Sequence, residues 1–285
     1  RVPILVRRVQ FDFPDGLAAH WHPARPAWSQ VVNAASLLMP YLEPFLIEAI
    51  REAIPQLRDP ALAAEARGYV GQEAHHFRQH RRFNDRVIAL GYDGIREYEA
   101  QLARDYEALS REPLAFRLAY AAGFETMALA LGHYLIRDRV HLFAGADPAV
   151  TSLVLWHFVE ELEHKHAAFG VYQAISGDWW LRVRGLAYAM WHTLSRTREA
   201  YRMLLRRDGL WGTWRTRIEL KLVMLRLFGY VTPWILEALS PWHDPARFAD
   251  PEWARDWMRL YDAGEPRLLR LDTARIGELP RAICS

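Results

Sequence analysis

The chain has 285 residues, 51% apolar and 25% charged, which excludes a disordered protein and allows a substantial core. The net charge of +2 selects no particular partner. The only cysteine, Cys284, excludes both a disulfide framework and a thiolate metal site.

Apart from a faint strand pattern over residues 2–13, the chain reads as helix. Residues 29–54 form an apolar helix that Pro40 and Pro44 are expected to kink or restart. Asp59-Pro60 is a helix start, with Asp as N-cap and Pro at the first position, and Gly91 is the stop. Residues 94–110 suit a short surface helix. A third long helix opens near Pro113 and ends by Gly145, and a fourth runs from Asp147-Pro148 to Ser176. Four long helices with one long crossover predict an all-α, ferritin-like four-helix bundle, with residues 29–177 as its core. Beyond Asp178, where nine of the twelve tryptophans lie, residues 180–207, 211–239 and 250–261 predict amphipathic helices packed on the bundle. Residues 178–262 thus form an extension and 263–285 a tail, all within a single domain. No apolar run reaches a membrane span. The best candidate, residues 220–239, is interrupted by Lys221, Arg226 and Glu237.

The chemistry lies in two repeats. Glu73 and His76 form Glu-x-x-His on the second long helix, and Glu161 and His164 form another on the fourth. A spacing of three puts both side chains on one helix face. Each pair has a carboxylate on the preceding helix, Glu43 or Glu125, set in an apolar stretch where it is costly to bury uncompensated. The four carboxylates match the charge of two divalent cations, and oxygen-rich donors with one imidazole per metal suit iron, with manganese or zinc as substitutes. The competing reading is a buried salt-bridge network, itself costly. Glu160 leaves a register ambiguity, but Glu160-x-x-Glu163 offers no imidazole, which favours Glu161. His80 and His157 fall one turn from the ligand stripe as extra ligands or, preferably, hydrogen-bond partners of the ligands, and Glu160 and Asn84 join them as supporting candidates. His75, Glu163 and His166 point off the stripe, toward solvent or between helices.

These motifs resemble the family known as predicted metal-dependent hydrolases, a branch of the ferritin-like superfamily, over roughly residues 34–172. The resemblance rests on Met39-Pro40-Tyr41-Leu42-Glu43, on Gln72, Glu73, His76, His80 and Asn84, on Glu125, and on Trp156, His157, Glu160, Glu161, Glu163 and His164. Ser240-Pro241-Trp242-His243 is similar to the family's late Pro-Trp element. The chain departs from the pattern at Leu42, where the family has Gly, and at Pro44. The resemblance implies a metal site, while the hydrolytic name is an inference from ligands rather than from chemistry.

Three functions compete. The preferred one is a di-iron oxidoreductase that activates dioxygen and acts on an apolar or lipid-like substrate, as the Trp- and Phe-rich surroundings suggest. The alternative is a two-metal hydrolase of an ester, amide or phosphoester. The third is a non-enzymatic metal-binding bundle. Residues 181–230 carry eleven Lys and Arg against three Asp and Glu. No nucleic-acid motif accompanies that charge, so a nucleic-acid partner is not expected. Ordinary packing accounts for it, and the alternative is peripheral contact with anionic lipid through Arg206, Arg207, Trp211 and Trp214. The sequence shows no secretory pattern, and with one cysteine a cytoplasmic location is expected.

Overall fold

The structure, a computed structural model, describes residues 4–284 and contains no strand among them. Of the expected strand at 2–13, residues 2 and 3 lie outside the described residues, and the rest is extended chain strapped across a helix. The amide of Phe11 donates to Gln79 at 3.1 Å, so a helix side chain takes the role of a neighbouring strand.

The long helices are α1 (Pro26–Ala53), α2 (Pro60–Ala89), α3 (Ile95–Ser110) and α4 (Leu114–Arg137), followed by the short α5 (Arg139–Phe143). Next come α6 (Pro148–His164), α7 (Ala167–Ile175), α8 (Trp179–Arg207) and α9 (Trp214–Ala238). The chain closes with α10 (Glu252–Asp262) and α11 (Pro280–Ile283). The expected caps are in place: Asp59 accepts from the Ala61 amide, and Asp147 from the amides of Ala149 and Val150. Gly91 and Gly145 turn the chain with positive φ, as their stop positions require.

Three helix readings need refining. α1 does not restart but runs as one helix through Pro40 and Pro44. Pro40 has no N–H for the Ser36 carbonyl one turn back, and Asn84 of α2 supplies the missing donor at 2.9 Å. The third helix ends earlier than expected. The Arg139 guanidinium caps it by bonding the Ile136 carbonyl while reaching Ile276 and Gly277 in the tail. The fourth breaks directly after His164, where Lys165 is tied to Asp250 and Phe248, and His166 to Glu65.

α4 is the centre of the molecule, in contact with α1, α6, α7, α8 and α9. A helix enclosed on all sides is apolar all round. For that reason α4, rather than residues 220–239, is the helix among the described residues that is long and apolar enough to cross a membrane; it is mostly buried inside the protein. Gly185 of α8 faces the Ala119 backbone of α4, and Gly123 faces Leu186, so closely that a Cβ at either position would clash with main chain. That approach brings α8 against the bundle, α9 covers the other side, and a chamber lies between α1, α4, α6, α8 and α9.

Candidate metal centre

The six side chains expected to converge do so. α1 contributes Glu43, α2 Glu73 and His76, α4 Glu125, and α6 Glu161 and His164, and all six are buried. Among the described residues four sets of donor atoms are each compact enough to hold a metal ion: Glu43, Glu73 and His76; Glu73, Glu125, Glu161 and His164; His76, His157 and Glu161; and Glu43, His80 and His157. Glu73 belongs to the first two. Glu161 lies between the rings, with Oε1 3.4 Å from His76 Nδ1 and Oε2 3.5 Å from His164 Nδ1. Glu73 Oε1 is 2.9 Å from His164 Nδ1 and 3.9 Å from His76 Nδ1. Glu125 Oε2 stands 3.7 Å from His164 Nδ1.

The polar groups around the centre define which atoms face it. His76 Nε2 lies 2.9 Å from Glu160, and His164 Nε2 lies 2.7 Å from the Gln72 side-chain carbonyl. Both partners are acceptors, so each Nε2 carries the proton and each Nδ1 turns inward. Both Nδ1 atoms, both oxygens of Glu43, Glu73 and Glu161, and Oε2 of Glu125 are buried without a hydrogen bond. Buried polar atoms left unsatisfied are costly, and so many directed at one point fit a cation. The donor set therefore fits a metal ion.

Without metal the same groups neutralise themselves with protons. Burial, the neighbouring Glu73, and then Glu161 and Glu125 push the Glu43 carboxyl well above its usual range, against His76. Burial and Glu161 do the same to Glu125. Burial disfavours charge on His76 and His164, but the surrounding carboxylates outweigh it and hold both imidazoles well above their ordinary value. Burial also opposes charge on Glu161, yet His164, His157 and His76 pull its carboxyl well below the ordinary range.

The supporting candidates separate. Glu160 accepts from His76 and is neutralised on its other oxygen by the buried Arg7, 3.3 Å away. Glu163 is half-buried and lies between helix and N-terminal strap, bonded by Arg7 at 2.5 Å and by Gln72 at 2.9 Å. Asn84 bonds to Ser36 of α1, through its backbone and its hydroxyl, and so stands behind His80 rather than against one of the six side chains. His166 faces Glu65, as an interhelical histidine should, and His75 is half-buried off the stripe.

A relay of hydrogen bonds fixes His80 and His157. The Asn84 amide nitrogen serves the Ser36 carbonyl, which leaves Asn84 Oδ1 to accept the Ser36 hydroxyl proton at 2.6 Å. Ser36 Oγ must then accept from His80 Nδ1, 2.8 Å away. His80 Nε2 in turn accepts from His157 Nδ1 at 3.0 Å. Burial and neighbouring histidines hold the His80 ring well below its ordinary pKa, and burial followed by His76 lowers that of His157, so both rings are neutral. The relay ends on His157 Nε2 with a free lone pair, 3.2 Å from Glu161 Oε1.

Sequence reasoning missed Tyr69 and Arg7. Tyr69 is fully buried and donates its phenol proton to Glu125 Oε1 at 2.7 Å. Its position one turn before Glu73, on the ligand stripe, is the signal that could have found it. Arg7 gives no local signal, because its partners are over 150 residues away.

The chamber reaches the centre through His80 and His157. Its volume is about 400 Å³, and Val32, Phe124, Met127, Leu131, Val154 and Phe158 make much of its wall. A cavity of that size and lining suits a small apolar molecule.

Comparison with curated proteins and with solved structures returns no match. The family model of the predicted metal-dependent hydrolases matches residues 5–248, and the chain belongs to that family.

Proposed function

We propose that Glu43, Glu73, His76, Glu125, Glu161 and His164 would hold two irons, in a ferritin-like arrangement, and that the protein is an oxygen-activating oxidoreductase for an apolar substrate. The observation that carries this reading is the position of the apolar chamber, which is lined by His80 and His157, and these belong to the same compact donor sets as Glu43, His76 and Glu161. Bound iron would supply two electrons which, with two from a substrate C–H bond and two protons, would convert dioxygen to water and a hydroxylated product, with an external electron donor restoring those two electrons before the next turnover. The chain's own residues hold the rest of the site in order. Gln72 and Glu160 orient the imidazoles, Tyr69 orients Glu125, and the apolar wall excludes water. His76, His157 and Glu161 also offer donor atoms compact enough for an ion, so His157 would add a third imidazole to the residues that hold metal.

Hydrolysis is the second reading, and the family description favours it. There a metal-bound water would attack, and the protein would need to stabilise negative charge developing on the substrate. The chamber wall is mostly apolar, with Phe158 against His157 and Arg198 out at the rim, and four anionic ligands would leave less charge on the metals to acidify water.

The test is anaerobic reconstitution with ferrous iron, then oxygen-electrode measurement with and without long-chain alkyl substrates. Iron-dependent oxygen uptake, faster with substrate, is expected. A ferrous protein stable in air that cleaves a model ester or phosphodiester only when metal is bound would establish hydrolysis instead.

A further inference from the structure

We propose that α9 seats the protein on an anionic lipid surface, with the chamber mouth opening toward that surface. The outer face of α9 carries Trp214, Ile218, Leu222, Leu225 and Phe228, spaced by four, four, three and three residues along one side of the helix. Trp214 and Leu225 are 69% and 67% exposed, and Ile218 and Leu222 about half. The opposite face of α9, with Val223 and Val231, is buried against the bundle, so the exposed stripe is not the face the fold uses. Trp191 and Leu194 of α8 are exposed as well, and a shallow apolar groove lined by Leu194, Phe228 and Leu236 joins the two helices.

Charge selects the occupant. Arg217 and Lys221 lie beside or within the stripe, Arg215 packs over the Trp214 ring, and Arg198 stands exposed at the rim of the chamber. Arg198, Arg217 and Lys221 form no ion pair among the described residues. The nearby acid, Glu219, is turned inward to accept from the Trp28 amide at 2.8 Å. A second copy pairing through the same face would bring these unpaired cations together, whereas an anionic bilayer neutralises them while taking up the apolar stripe. The structure also shifts the contact from where sequence placed it. Trp211 is half-buried beneath Arg202, and Arg207 is paired with Asp93, so α9 rather than the α8–α9 turn is the docking element.

Leu194, Arg198 and Phe228 belong to the chamber wall and are also exposed on this face. An apolar molecule could therefore pass from bilayer to chamber without crossing water. Docking is separable from the chemistry, because vesicle binding is read without turnover.

The test is flotation of the full, metal-loaded chain with vesicles of phosphatidylcholine alone or with added phosphatidylserine. Binding to the anionic vesicles, with a blue shift of tryptophan emission and loss at high salt, is expected. Leu222→Asp with Leu225→Asp should weaken it at least tenfold, with helical content and metal unchanged. Each of Arg217→Gln and Lys221→Gln should cost about fivefold. No binding to anionic vesicles would overturn the proposal. So would unchanged binding by the Asp variant, or self-association abolished by the same substitutions without any vesicle binding.

Discussion

His164 gives its Nε2 proton to the side-chain carbonyl of Gln72, 2.7 Å away, and thereby turns Nδ1 to the carboxylates. Gln72 is itself held by its amide, which donates to the Leu5 carbonyl and to Glu163. The N-terminal strap thus sets the orientation of an imidazole on α6. Gln72→Leu removes the acceptor and leaves the ring free to rotate or change tautomer. Metal affinity should fall roughly 10- to 100-fold, with helical content preserved, in a competition titration against a chelator. Unchanged affinity would show that the ring is held by packing alone.

His157 ends the relay from Asn84 through Ser36 and His80. His157→Ala should change the optical spectrum of the iron-loaded protein as well as the rate of oxygen uptake, because a ligand atom is lost. Ser36→Ala, which removes only the hydroxyl of the relay, should leave the spectrum close to that of the parent and lower the rate. A His157→Ala protein with an unaltered spectrum would place His157 outside the coordination sphere.

Metal binding should be steeply pH-dependent. In the metal-free protein, raised pKa values keep protons on the carboxyls of Glu43 and Glu125 and on the imidazoles of His76 and His164. Metal must displace them, so affinity rises with pH and falls as the solution is acidified. Above the raised pKa values the dependence should flatten. Adding ferrous iron to weakly buffered metal-free protein near neutral pH should release protons, measurable by a pH indicator. Proton-neutral binding would mean that these groups are already deprotonated.

The candidate ligands were legible because a helix repeats its face every three to four residues. The two Glu-x-x-His pairs needed only that spacing, and Glu43 and Glu125 stood out as lone carboxylates in apolar helices. The unbroken α1 was not legible. The donor that completes it belongs to Asn84 on another helix, and a local reading of Pro40 sees only the missing N–H. Arg7 escaped for the same reason, since an extended strap declares no partner until the fold brings Glu160 and Glu163 beneath it. The chamber also depends on tertiary contact, because each of its walls comes from a different helix.

The central claim is that Glu43, Glu73, His76, Glu125, Glu161 and His164 hold two metals, and metal content tests it most directly. The chain is grown with iron and purified without chelator, beside Glu161→Ala and Glu163→Ala. Elemental analysis should give two metals per chain, with X-ray absorption placing them about 3.5 to 4 Å apart. Glu161→Ala should lose most of the metal, since both its oxygens face the two rings, and Glu163→Ala should keep it, since its carboxylate lies with Arg7 outside the cluster. Only trace metal in the parent protein, or full occupancy in Glu161→Ala, would contradict the account.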